Sequence, residues 1–123
     1  MPRQVITTDR APASEHYAQA TRAGDLVFIS GQIPLLPDRT PVNGSFEDQA
    51  RQVFRNVQAV AEAAGGSLDD VVRLGVYLDD IGNWDRMNAV FHEFFSAPLP
   101  ARSSIEGHMP GFEIEVDAIL RLA

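Results

Sequence analysis

The run FEIEVDAILRL, residues 112–122, constrains the fold of this chain more than any other segment. Phe112, Ile114, Val116, Ala118, Leu120 and Leu122 fall at every second position, and Glu113, Glu115, Asp117 and Arg121 fall between them. A period of two puts the first set on one face of a β-strand and the second set on the other. Such a strand needs neighbours in a sheet and a second layer over its apolar face.

Two helices supply that layer. Ser45 and Asp48 have capping-box spacing, and Glu47 and Asp48 suit the positive end of a helix dipole. Ala50, Val53, Phe54, Val57, Val60, Ala61 and Ala64 then form one apolar stripe, and Gly65-Gly66 ends it. A second helix starts at Asn83, turns Met87, Val90, Phe91, Phe94 and Phe95 inward, and stops at Pro98-Leu99-Pro100. The remaining strands are a hairpin, with arms Tyr17–Thr21 and Leu26–Ser30 around Ala23-Gly24-Asp25, then Val71–Leu78 and Ala101–Glu106.

The order ββαβαββ describes one α+β domain over residues 1–123, a mixed sheet with two helices packed on one face. LVFIS, residues 26–30, is apolar without interruption and reads as a central strand buried on both faces. Two helices cover only one face of a sheet, so the other requires a further partner. Copies of the same chain are the natural candidates, and an oligomer is expected.

Composition removes several classes of function. The net charge of -7, without any basic cluster, argues against nucleic acid. All 10 basic residues are arginine, so no lysine is present to form an imine with a substrate or with pyridoxal phosphate. With 0 cysteines there is no thiolate nucleophile, thiolate metal site or disulfide. His16, His92 and His108 are too dispersed for metal-ligand spacing, and no glycine-rich phosphate loop occurs; neither a metal nor a cofactor is expected. The apolar runs are too short to span a membrane, and the polar N-terminus is not a signal peptide, so a cytoplasmic protein is expected.

Arg102, in PARSSIEG, precedes a β-prone run that looks half buried. Arginine goes inside when an anion meets it. Either an internal carboxylate such as Glu115 satisfies it, or it waits for an acid from solution. Glu115 is either a carboxylate that positions water or a solvent-facing residue of an amphipathic strand. Tyr17 either points its phenol into a cleft or packs at a strand end. Ser30-Gly31 is either a bulge where backbone approaches something closely or a strand ending in a turn.

Taken together, Tyr17-Ala18-Gln19-Ala20, AGDLVFISGQIP, QARQVFRNVQAVAEAAGGSLDDVVRLGVYLDD, NAVFHEFF, PARSSIE and EIEVDAI resemble the Rid family of reactive intermediate deaminases, also called the YjgF or L-PSP family. The resemblance covers nearly the whole chain in order. It implies a chorismate-mutase-like fold in a barrel-like homotrimer with clefts between subunits. It also implies cofactor-independent hydrolysis of 2-imino acids, or their enamine tautomers such as 2-aminoacrylate, to 2-oxo acids and ammonia. By the same resemblance Arg102 binds the substrate carboxylate and Glu115 orients or activates water. Tyr17 enters the cleft from a neighbouring subunit, Ser30-Gly31 lines the pocket, and Ser104 is the small residue whose backbone faces the ligand.

Two stretches depart from the family pattern. Glu15-His16 replaces the usual Gly-Pro before the tyrosine, and GHMPG shortens a loop that often carries a second arginine, with His108 near its place. Both lie near the expected cleft mouth, and a pocket reshaped for a larger or non-amino-acid imine is the expectation they raise. The competing readings are a non-catalytic trimer that binds small carboxylates or a partner protein, and a ribonuclease, against which the acidic charge counts.

Overall fold

The computed structural model describes residues 3–123. Six strands form one sheet: β1 (Gln4–Ile6), β2 (Ala20–Ala23), β3 (Leu26–Gln32), β4 (Val71–Leu78), β5 (Ala101–Glu106) and β6 (Ile114–Arg121). Their spatial order is β1-β2-β3-β6-β4-β5. Every neighbouring pair is antiparallel except β4 and β5. A parallel pair needs a crossover, and α2 (Trp84–Phe94) provides it. α1 (Phe46–Ala63) connects β3 to β4.

α1 forms as its sequence dictates. The Ser45 hydroxyl accepts from the Asp48 amide at 3.1 Å, and Asp48 Oδ2 accepts from the Ser45 amide at 3.3 Å. At the other end Gly65 adopts φ +92°, with the Gly66 amide bonded to Ala61 O and the Gly65 amide to Glu62 O. That is a Schellman motif, and its left-handed residue favours glycine. Val53, Phe54, Val57 and Val60 are fully buried against Val27, Val116 and Leu120.

The β6 alternation holds from Ile114 onward: Ile114, Val116, Ala118 and Leu120 are buried beneath the helices, while Glu115, Asp117 and Ile119 lie on the open face. It fails for the two residues before the strand. Glu113 is bonded to Gln49 of α1 through both its carboxylate and its amide (2.9 and 3.0 Å). Phe112, expected in the core stripe, instead lines a concavity beside Glu115. The period of two applies only where the backbone is extended and paired, and pairing begins at Ile114.

Three other expectations need correction. LVFIS is buried on one face only within the chain: Val27 is 0% and Ile29 3% exposed, whereas Phe28 is 42% exposed. The hairpin's first arm begins at Ala20 and not at Tyr17, because Gln19 turns inward. Its side-chain amide donates to the carbonyls of Thr8, Ala11 and Pro12, and its oxygen accepts from the Thr8 amide. The polar N-terminus contributes β1, a three-residue edge strand without any apolar period. Between Ile29 and Gln32 the register with β6 shifts by one residue, so Ser30-Gly31 forms a bulge.

Candidate active site

Arg102 pairs with Leu74 across the parallel β4–β5 ladder, so its side chain points toward the helix layer, as that of Leu74 does. There α2 receives it. The guanidinium carbon lies 4.8 Å from the Phe91 ring centre and 5.1 Å from that of Trp84. Nη2 donates to Asn88 Oδ1 at 2.7 Å, and Nη1 meets Met87 Sδ at 3.6 Å. Aromatic faces and an amide oxygen stabilise a planar cation without neutralising it. Among the described residues no carboxylate comes within ion-pair distance of Arg102. Burial pulls its pKa below the ordinary arginine value. Asn88, Phe91, His92, Leu99 and Pro100 surround it in an open concavity of about 440 Å³.

Glu115 stands elsewhere. It pairs with Tyr77, on the face that the helices leave open. It therefore does not satisfy Arg102, and the two lie on opposite faces of the sheet. Tyr17, Ser30, Gly31, Ile33 and Phe112 line a second concavity around Glu115, about 380 Å³ in volume. The Glu115 carboxyl lies against Gly31, where a Cβ would collide with its Oε2 and approach Cδ to 2.9 Å. Burial chiefly, and the neighbouring Asp117 charge second, push the Glu115 pKa upward. Asp117 itself accepts a hydrogen bond from the Tyr77 hydroxyl at 2.9 Å.

The other predicted residues divide between these two sites. The Ser30 hydroxyl donates to Ala18 O at 2.7 Å, so its proton is committed within the loop. Tyr17 is 51% exposed and lies at the rim beside its own chain's Glu115. Ser104 lies two residues beyond Arg102 and opposite Val76, its buried hydroxyl without a partner. His16 and His108 are exposed, His108 Nδ1 lying 3.5 Å from Asp79, and His92 borders the arginine concavity. Among the described residues no cluster of His, Asp and Glu could hold a metal ion. A larger concavity, about 850 Å³ beside Arg3, Arg22 and Phe28, contains none of the predicted residues.

Sequence reasoning missed Trp84, Asn88 and Phe91 as the cradle of Arg102. Their spacing of four and three places them on one helical face, but nothing local shows that this face meets β5. It also missed Ile33, which is held in place because the buried Asn56 amide donates to the carbonyls of Ile33 and Leu35 at 3.2 and 2.9 Å.

The sequence profile described as Endoribonuclease L-PSP matches residues 7–121. A protein of Dermatophagoides farinae named 2-iminobutanoate/2-iminopropanoate deaminase is 37% identical over 106 residues, which is 85% of this chain and 83% of that protein. The crystal structure of RidA from the Antarctic bacterium Psychrobacter sp. PAMC 21119 superposes with a TM-score of 0.92 at 41% identity, covering 98% of this chain and 100% of that one. E. coli TdcF with bound serine superposes with a TM-score of 0.91 at 34% identity, covering 98% and 99% of the two chains. With the fold, the profile match and these identities in agreement, the chain belongs to the Rid (YjgF/L-PSP) family.

Proposed function

We propose that this protein is a cofactor-independent deaminase that hydrolyses 2-imino acids, and their enamine tautomers, to 2-oxo acids and ammonia. One observation carries the reading: a half-buried arginine, stacked on two aromatic rings, that meets no carboxylate among the described residues. Such a group is a standing receptor for a small carboxylate. The names of relatives support the same class, since one is an iminobutanoate/iminopropanoate deaminase and another was crystallised with serine, an amino acid.

The chemistry asks little of the protein. An imine carbon is already electrophilic, so no covalent nucleophile is needed. Arg102 holds the carboxylate, and water must lie about 3 Å from the carbon. With the imine nitrogen protonated, Glu115 takes a proton from that water as its oxygen bonds to carbon, giving a neutral carbinolamine and a protonated Glu115. Glu115 then passes that proton to the nitrogen, the C–N bond breaks, and the hydroxyl proton goes to the departing ammonia as the carbonyl forms. Arg102 and Glu115 lie on opposite faces of one sheet, so both reach one substrate only when Arg102 comes from one subunit and Glu115, with Tyr17, from its neighbour. A homotrimer with clefts between subunits provides that arrangement.

The test is an amino acid oxidase assay in which semicarbazide traps the imino acid, run with wild type and Arg102→Ala after circular dichroism shows that both are folded. Wild type should suppress semicarbazone formation. Arg102→Ala should lose at least about a hundredfold in kcat/KM, the scale for a desolvated charge pair. Suppression undiminished by the substitution would remove Arg102 from the mechanism. No suppression by wild type with any imino acid, together with carboxylate binding lost in Arg102→Ala, would favour a non-catalytic carboxylate-binding protein.

A further inference from the structure

We infer that Phe112 is a specificity-determining residue that selects imino acids with bulky apolar side chains. This rests on the proposed deaminase reading and names its substrate class. Three side chains in the Glu115 concavity are carbon surfaces: Tyr17, Ile33 and Phe112. Its polar groups are the Tyr17 and Ser30 hydroxyls, the Gly31 backbone and the Glu115 carboxyl. The Ser30 hydroxyl donates to Ala18 O, and Gly31 presents only backbone. Glu115 is the one charge, and it disfavours a second carboxylate close by. A substrate whose carboxylate is held by Arg102 and whose imine carbon reaches Glu115 therefore lays its side chain against a wall that is chiefly carbon, the Ile33 and Phe112 side chains and the Tyr17 ring. Apolar groups gain from that wall, while polar ones lose hydration without compensation.

Phe112 is the member of the wall that the local sequence does not otherwise require. The β6 pattern would place it in the core with Ile114, yet it lies before the paired strand and faces the concavity. The turn that delivers it contains Gly111 at φ +93°, a conformation that favours glycine. The GHMPG loop is fixed on its other side, where the Gly107 amide bonds to Leu78 O at 2.9 Å and the Met109 amide to Asp79 Oδ1 at 2.9 Å. The half-buried ring is thus presented by an anchored loop.

The experiment compares imino acids derived from leucine, phenylalanine, alanine and glutamate, using wild type, Phe112→Ala and Phe112→Leu. In wild type the leucine and phenylalanine derivatives should exceed the alanine and glutamate derivatives by about tenfold or more in kcat/KM, as a hydrophobic pocket discriminates. Phe112→Ala should reduce that ratio to within about threefold, and Phe112→Leu should retain most of it. Equal rates for all four in wild type, or an unchanged ratio in Phe112→Ala, would overturn the inference. Titration calorimetry with 4-methyl-2-oxopentanoate, pyruvate and 2-oxoglutarate provides a readout without turnover. If wild type hydrolyses no imine, the deaminase reading fails. Tighter binding of 4-methyl-2-oxopentanoate, weakened in Phe112→Ala, would still uphold the apolar preference, and equal binding would reject it. Should Phe112→Ala fail to fold, the ratio in Ile33→Ala decides in its place, since loss of carbon from the same wall must lower it.

Discussion

At Gly31 the chain has no room for a methyl group, because the Glu115 carboxyl occupies the space a Cβ would take. Because the obstructing group is the end of a flexible side chain, Gly31→Ala should displace the carboxyl and cost under about 1 kcal/mol of stability, read from denaturant unfolding. It should also lower activity more than tenfold by displacing Glu115. Glu115 has its own pH signature. Burial and Asp117 raise its pKa, so the ionised base is gained only at higher pH, and kcat/KM should rise with pH through that value. Asp117→Asn removes a like charge and should move this acid limb to lower pH. For stability the sign is opposite: a carboxyl with a raised folded pKa favours folding below its ordinary value, and that contribution is lost as pH rises through the folded pKa. Arg102 and Glu115 could be singled out from the sequence, because a half-buried arginine and an acid on a patterned strand are local signals. Their mutual position could not. Which face each side chain takes depends on sheet register and on the parallel β4–β5 pair, neither of which any single segment encodes.

α1 was legible from cap to cap, since its stripe, capping box and terminal glycines are all short-range. Phe54, fully buried and in ring contact with Phe91, Phe94 and Phe95, should cost about 3–5 kcal/mol as Phe54→Ala. Ser45→Ala should cost about 1 kcal/mol through the lost cap. Where elements were misread, the structure-giving contact was distant. β1 exists because it lines up beside β2, and β2 starts late because Gln19 reaches back to Thr8, Ala11 and Pro12. Between the helices, Glu47 meets Arg86 at 2.6 Å and Glu93 meets Arg51 at 2.9 Å. Chiefly through the Arg86 hydrogen bond, the Glu47 pKa falls from 4.5 to about 2. A lowered carboxylate pKa contributes stability that is present above the unfolded value and lost as pH falls through the folded one. The melting temperature should therefore drop from pH 4.5 toward 2, and less steeply in Glu47→Gln.

For the molecule as a whole, the open face of the sheet decides how the protein exists in solution. Val5 at 56%, Phe28 at 42% and Ile105 at 54% exposure stand on it, with the half-covered Ile119 and Tyr77 between. Apolar surface of that kind marks an interface. Light scattering should give the mass of three chains at micromolar concentration, and Phe28→Glu should shift it toward one. The count of helices against faces leads to the expectation of a partner, while it carries no number of copies, because periodicity has no symmetry operator.

Under the proposed mechanism, the placement of Arg102 and Glu115 on opposite faces makes catalysis a shared property, and genetics in a test tube can read it. Arg102→Ala and Glu115→Gln should each be inactive alone. Unfolded together and refolded as a mixture, they should recover activity, because some interfaces then join an intact arginine from one chain to an intact glutamate from the next. With equal amounts and random assembly, about a quarter of the clefts should be whole, since each half is intact in half of the subunits. Two dead proteins would thus make a live one, in a proportion set by counting.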